Sequence, residues 1–160
     1  MGLYEELLIE NGHLPIGDTF ELDGDFDGLY DNGVILIDKT LSTARKHEVL
    51  AEELAHHKLT YGDITDQKVF NNRKFENYAR RYSMEQVISL DGIITAFKYN
   101  CHNLYEMANY FEVTEKYIVK VIEHYKMKFG LSTYHNGYVI KFEPLQVFKH
   151  IQFKQRSNLE

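Results

Sequence analysis

Residues 42–58 constrain the fold most, because their apolar and polar side chains alternate with the period of an α-helix. At about 100° per residue, the apolar side chains fill one arc of this helix and the acidic and histidine side chains fill the opposite arc. The apolar arc contains Leu50, Ala51, Leu54 and Ala55, and the polar arc contains Glu52, Glu53 and His56. The segment therefore predicts an amphipathic helix with Ser42 as its N-cap.

The polar arc has the spacing of the zinc-binding pattern H-E-x-x-H, with Glu52 in the place of the first histidine. In that pattern the two histidines bind zinc and the glutamate is a general base toward the attacking water. Residues four apart project from one helix face, so Glu52 and His56 can reach a common ion. The alternative pair of Glu53 and His57 would put Leu54 where the base is required. The spacing predicts Glu52 and His56 as metal ligands and Glu53 as the catalytic base.

Two interpretations of this face remain open at this point, because Glu and His four apart also occur on exposed helix faces that bind no metal. A hydrolytic zinc site needs a third protein ligand, often a glutamate from the next helix. Glu76 lies in a second helical pattern, residues 72–80, and is well placed to be that ligand. The alternative is an ordinary surface glutamate.

The segments A-E-E-L-A-H-H (51–57), Y-G-D-I (61–64) and N-R-K-F-E-N-Y-A-R (72–80) together resemble the ImmA/IrrE family of metallo-endopeptidases. The resemblance is to the form found in phages and other mobile elements, and it extends over residues 28–145. It implies that Glu52, His56 and Glu76 hold the metal and that Glu53 is the catalytic residue. The chain departs from the broader family at Glu52, where the family has histidine.

The resemblance and the residue patterns together predict an α+β fold. The expected architecture is a zincin-like helical core with a small antiparallel sheet and a C-terminal helical, helix-turn-helix-like lobe. The predicted divisions are a metallopeptidase core (1–84), a helical lobe (85–130), and a C-terminal hairpin and tail packing on the core (131–160).

The glutamate at position 52 changes the expected metal chemistry. Two carboxylates and one imidazole neutralise a divalent ion, so the pKa of its water should lie above the roughly 7 of a strongly acidic zinc site. Carboxylate ligands also suit manganese or iron better than imidazoles do. Zinc is the first expectation, with manganese as the alternative.

Composition excludes several classes of protein. A net charge of -6 argues against a nucleic-acid binder, since phosphate neutralisation needs clustered Lys and Arg. No apolar run approaches a membrane span. The acidic N-terminus lacks signal-peptide features. Cys101 is the single cysteine, which excludes an intramolecular disulfide, and it is expected to be a buried small hydrophobe. A cytoplasmic location in the bacterial host is therefore expected.

Other local patterns predict further elements. A helix is expected at 4–9, a strand at 33–38 after a hairpin turn, and a polar link at 63–72. Helical spacing is expected from Met84 to Phe97, and a hairpin of 131–134 with 138–142 around Asn136.

Residues 102–122 have helix-turn-helix spacing, with Thr114 capping the second helix. Residues 86–128 balance five acidic residues against five lysines, which suits phosphate binding poorly. The favoured interpretation is a helical lobe that packs on the core and helps to hold substrate.

The predicted function is that of a metal-dependent endopeptidase. The resemblance implies that its partner is a helix-turn-helix repressor, whose cleavage would derepress phage or mobile-element genes. The alternative is a non-catalytic repressor-binding antirepressor or antitoxin-like module, and a DNA-binding regulator is a third interpretation. His57 is expected to brace its helix, and Tyr61, Tyr82 and His135 are candidates for polarising the substrate carbonyl.

Overall fold

The computed structural model describes residues 1–61 and 72–151. The described residues form six helices and six strands, in two small sheets, which confirms the α+β class. The helices are α1 (Leu3–Glu10), α2 (Thr43–Tyr61), α3 (Asn72–Val87), α4 (Leu90–Lys98), α5 (Leu104–Phe111) and α6 (Glu115–Phe129). The strands are β1 (Ile16–Phe20), β2 (Gly28–Asp31), β3 (Val34–Asp38), β4 (Ser132–His135), β5 (Tyr138–Phe142) and β6 (Leu145–Lys149). None of the described helices is long and apolar enough to cross a membrane.

The first sheet has the order β1-β3-β2, so β2 lies at its edge. β2 and β3 form the predicted antiparallel hairpin, with Asn32 and Gly33 at φ 48° and 83° in the turn. β1 pairs in parallel with β3 and was not predicted. Its sequence, I-G-D-T-F, lacks a run of β-formers, and its outer end is exposed. Pairing with the buried β3 stabilises a strand that its own sequence does not indicate.

The amphipathic helix predicted at residues 42–58 forms as α2 and extends further. Ser42 Oγ accepts a hydrogen bond from the Arg45 N–H at 3.2 Å, which confirms the N-cap, and α2 continues to Tyr61. The helical spacing from Met84 to Phe97 is divided between two helices. α3 ends at Val87, and Ser89 caps α4 by accepting from the Gly92 N–H at 2.9 Å. The predicted polar link lies outside the described residues, except that Asn72 begins α3.

The C-terminal half has one apolar core. The end of α3, helices α4 to α6 and the antiparallel sheet β4-β5-β6 share it. α5 and α6 confirm the helix-turn-helix pattern, and Thr114 Oγ1 accepts from the Tyr117 N–H at 3.2 Å. The hairpin at Asn136 is also confirmed, and β6 is an additional strand. Cys101 packs at the edge of this core and is half-buried, where full burial was expected.

A second apolar core joins α1, β3 and α2, and polar contacts connect it to the turn before α6. Buried Glu48 accepts from the Thr114 N–H through Oε2 at 2.7 Å. His47 Nδ1 lies 3.0 Å from the Glu112 carbonyl oxygen, and Glu112 Oε2 accepts from the Leu3 N–H at 3.0 Å. These contacts fix α2 against the start of α6. The predicted domain divisions at 84 and 130 stay predictions.

Candidate metal centre

α2 and α3 bring three predicted ligands together. Glu52, His56 and Glu76 each offer one ligand atom, and these atoms all lie within 4.8 Å of one another. His56 Nε2 is 3.1 Å from Glu76 Oε2. The His56 side chain is 10% exposed and that of Glu76 is 53% exposed, so the cluster is anchored in the interior and opens toward solvent at α3. No second group of three such side chains occurs within residues 1–61 and 72–151.

The donor set fits a divalent metal ion. Ligand atoms at about 2.1 Å from a tetrahedral zinc ion lie roughly 3.4 Å apart. The pair of His56 and Glu76 is already close to that separation. Small changes in the side-chain torsions of the two glutamates would complete the arrangement, since each glutamate has three rotatable side-chain bonds. The three side chains supply one imidazole nitrogen and two carboxylate oxygens.

Glu53 lies next to this cluster and is unusually basic for a carboxylate. Burial, together with the negative charges of Glu52 and Glu76, raises its pKa from 4.5 to about 7. Its side chain also lies against the backbone of Gly28 in β2, where an added Cβ would be 3.0 Å from Glu53 Oε1. The edge strand therefore forms one wall beside Glu53.

Arg80 was not assigned a role from the sequence. Its Nε lies 3.7 Å from Glu52 Oε1. Arg80 follows Glu76 by four residues in the quoted segment 72–80, and residues four apart share a helix face. The spacing from Glu76 could therefore have indicated that Arg80 lies near the centre. The guanidinium adds a positive charge at the solvent side of the centre.

The other polar candidates are elsewhere. His57 Nδ1 lies 3.0 Å from the Tyr30 hydroxyl, so His57 braces α2 against β2 as expected. Lys58 Nζ lies 5.3 Å from the centre of the Tyr82 ring. His135, at the end of β4, pairs with Asp91 of α4 at 3.0 Å. His135 is not part of the cluster, and the Tyr61 side chain lies outside the described part of the chain.

Comparison with protein families matches residues 13–123 to the Peptidase_M78 model, the IrrE N-terminal-like domain. The match covers more than half of the chain and includes both helices of the candidate centre. A comparison with curated proteins gave no significant match. The family match confirms the resemblance to ImmA/IrrE metallopeptidases, and the chain belongs to the Peptidase_M78 family of IrrE N-terminal-like domains.

Proposed function

We propose that the protein is a zinc-dependent endopeptidase that cleaves a helix-turn-helix transcriptional repressor. The observation that carries the proposal is the meeting of Glu52, His56 and Glu76 beside Glu53, on two helices that the family match includes. A peptidase of this kind needs three protein ligands, an open position and a nearby base. The cluster of two carboxylates and one imidazole, with Glu53 beside it, supports the proposal.

Glu52, His56 and Glu76 would hold the metal. A bound divalent ion supplies a Lewis acid, which polarises a carbonyl and makes an attacking water more acidic. Glu76 is on the exposed side, so the entry of a peptide would be from α3. Manganese is the alternative metal, because two of the three donors are carboxylates.

Glu53 moves the proton in the proposed reaction. Its carboxylate accepts a proton from the attacking water and returns that proton to the leaving amine. Burial holds its pKa at about 7, within the range where a carboxyl group can both take and give a proton near neutral pH. The ionised form of Glu53, which begins the reaction, would be favoured by a divalent ion held by Glu52, His56 and Glu76.

The edge of the first sheet is the proposed path of the substrate. β2 has β3 on one side and no strand partner among the described residues on the other. An extended peptide can add to such an edge through main-chain hydrogen bonds. Gly28 lies both in β2 and against Glu53, so a peptide paired with β2 would pass beside Glu53.

The repressor substrate and the derepression of phage or mobile-element genes rest on the resemblance of the motifs. The proposal is tested by incubating zinc-loaded or manganese-loaded protein with a panel of purified helix-turn-helix repressors and identifying new termini by mass spectrometry. Glu53→Gln is the matched control, since it keeps the shape of the side chain but cannot accept a proton. Cleavage by the parent and about 100-fold to 10,000-fold slower cleavage by Glu53→Gln is expected.

Metal content is measured separately. We expect about one divalent ion per chain, which His56→Ala loses and Glu53→Gln retains. Equal metal content in the parent and His56→Ala would contradict the ligand assignment. Tight binding of a repressor without any cleavage would instead support the non-catalytic antirepressor or antitoxin-like module.

A further inference from the structure

We propose that the groove between α3 and α6 is a docking surface for an acidic segment of the protein substrate, an inference that rests on the proposed function. Two neighbouring hollows of about 480 Å³ and 270 Å³ make up this groove. Its sides are formed by helix residues spaced three or four apart, which share a face. Those on α3 include Arg81, and those on α6 include Lys120, His124, Met127 and Lys128.

The groove is positively charged in a protein that is negative overall. Arg80, Arg81, Lys120 and Lys128 line it, against two carboxylates, Glu85 and Glu123. The whole chain has a net charge of -6. Arg81 and Lys120 form no ion pair with any residue of the described ranges. These two cations are therefore available to carboxylates of a partner.

His124 lies at the floor of both hollows. Its side chain is only 10% exposed, and Nε2 is 3.4 Å from Glu85 Oε1. His124 therefore already faces one carboxylate, and its Nδ1 has no hydrogen-bond partner within the part of the chain that the structure describes. A buried polar atom without a partner is destabilising, so a polar group of a docked segment that reaches Nδ1 would be favoured.

The apolar residues at the groove favour a polypeptide over a nucleic acid. Tyr78 is 54% exposed and Met127 is 68% exposed, and both line the larger hollow. Tyr, Met and Arg are enriched at protein interfaces. A nucleic acid would require clustered cations without the acidic residues that intervene here. Glu85 already pairs with Lys128 at 2.6 Å, which reduces the positive field further.

The groove and the candidate metal centre share one residue, Arg80. Arg80 lines the smaller hollow, and its Nε is also 3.7 Å from Glu52 Oε1. From Asn77 to Met84 the groove follows α3 for roughly 10 Å, at about 1.5 Å per residue. This length accommodates three extended residues of an acidic segment. The neighbouring residues of a substrate held in the groove would lie next to the candidate metal centre.

The test uses the full chain carrying Glu53→Gln, so that no turnover interferes. Fluorescence anisotropy measures binding of a labelled ten-residue peptide of Glu, Asp, Leu and Tyr, and of the same peptide with Lys in place of the acids. The acidic peptide should bind and the lysine peptide should not. In this background the added pair Arg81→Glu and Lys120→Glu should weaken binding about 10-fold or more, while Lys39→Glu with Lys149→Glu, an equal charge change elsewhere on the exposed surface, should change it less than about 3-fold.

Equal weakening by both pairs would overturn the proposal, because it would show a general effect of net charge. A labelled 20-base-pair DNA that binds more tightly than the acidic peptide and depends on Arg81 and Lys120 would overturn it in favour of a nucleic-acid surface. Peptide binding requires neither metal nor cleavage. Failure of the endopeptidase proposal therefore shows as missing metal or missing cleavage, and failure of the docking proposal shows as missing charge-dependent binding.

Discussion

Gly28 and Glu53 are in direct contact, with the backbone of β2 lying against the acidic side chain of α2. An added Cβ at position 28 would be 2.5 Å from Val49 Cγ1 and 3.0 Å from Glu53 Oε1. Both separations are shorter than ordinary van der Waals contacts of about 3.5 Å or more. Strand β2 and helix α2 can approach this closely only because position 28 has no side chain.

Replacing Gly28 with Ala should displace either β2 or Glu53. We expect the free energy of unfolding to fall by about 1–3 kcal/mol, as for other overpacked sites. Cleavage per folded molecule should fall at least about 10-fold, because the base moves relative to the substrate. Urea denaturation and cleavage kinetics measure the two effects.

Gly33→Ala, in the same hairpin, is the control. Position 33 has space for a Cβ but a φ of 83°, so this change should cost about 1 kcal/mol through backbone strain alone and leave cleavage unaltered. If Gly28→Ala cleaves as fast as Gly33→Ala, the contact does not position Glu53.

Glu53 should make the stability of the chelated, metal-free protein depend on pH. Its pKa is raised from 4.5 to about 7 in the folded protein, so the folded state keeps a proton that the unfolded state releases. The resulting stabilisation is present below pH 4.5 and is lost as pH rises to about 7. The loss is up to about 3 kcal/mol, at 1.36 kcal/mol per pKa unit.

Urea denaturation of the parent and Glu53→Gln at several pH values between 4.5 and 8 isolates this contribution, since the variant has no proton to release at position 53. The difference in unfolding free energy between the two proteins should change over that range and level off above pH 7. A constant difference would mean that the Glu53 pKa is not raised in the folded protein.

Glu52→His tests the departure from the H-E-x-x-H pattern. A second imidazole leaves more positive charge on a bound ion, so the variant should hold zinc more tightly relative to manganese. Its cleavage activity should also persist to lower pH than that of the parent. Competition titrations measure the zinc affinity relative to manganese, and pH profiles measure the cleavage activity. If both are the same in the parent and the variant, Glu52 does not contact the metal.

Glu48→Leu should weaken the joint between α2 and α6. Glu48 is 4% exposed and accepts hydrogen bonds from the Thr114 N–H and from Arg45 Nη1. Removing the carboxylate leaves a partly buried N–H without its partner, at a cost of about 2–3 kcal/mol. The same change at the exposed Glu123 should cost less than about 0.5 kcal/mol. Thermal or urea unfolding compares them, and equal losses would show that the Thr114 hydrogen bond contributes nothing.

The local patterns of the sequence were sufficient to locate several elements and their caps. Ser42 and Thr114 occur where side-chain oxygens can accept hydrogen bonds from the first turns of helices, so both caps could be predicted. β1 and β6 were missed because their pairing depends on β3 and β5, distant in sequence or across a turn at Pro144. Strand formation of that kind is decided by partners more than by composition.

The candidate centre shows the same division. Helical spacing placed Glu52 and His56 on one face, and the second helical pattern together with the family resemblance added Glu76. The contact of Glu53 with Gly28 and that of Arg80 with Glu52 join separate elements, so spacing within one helix could not reveal them. The buried ring of His124 was also missed, because its surroundings come from α3 as well as α6.

In the proposed reaction, the hydrogen bond from Thr114 to Glu48 would help to determine which peptide bond is cleaved. Glu48 is one helical turn before Glu52, and Thr114 caps the helix that carries Lys120. This hydrogen bond holds the proposed docking groove and the candidate metal centre at a fixed separation. If a substrate binds in the groove, the protein acts as a ruler: it selects a bond by its distance along the chain from an acidic segment, whatever side chains flank that bond.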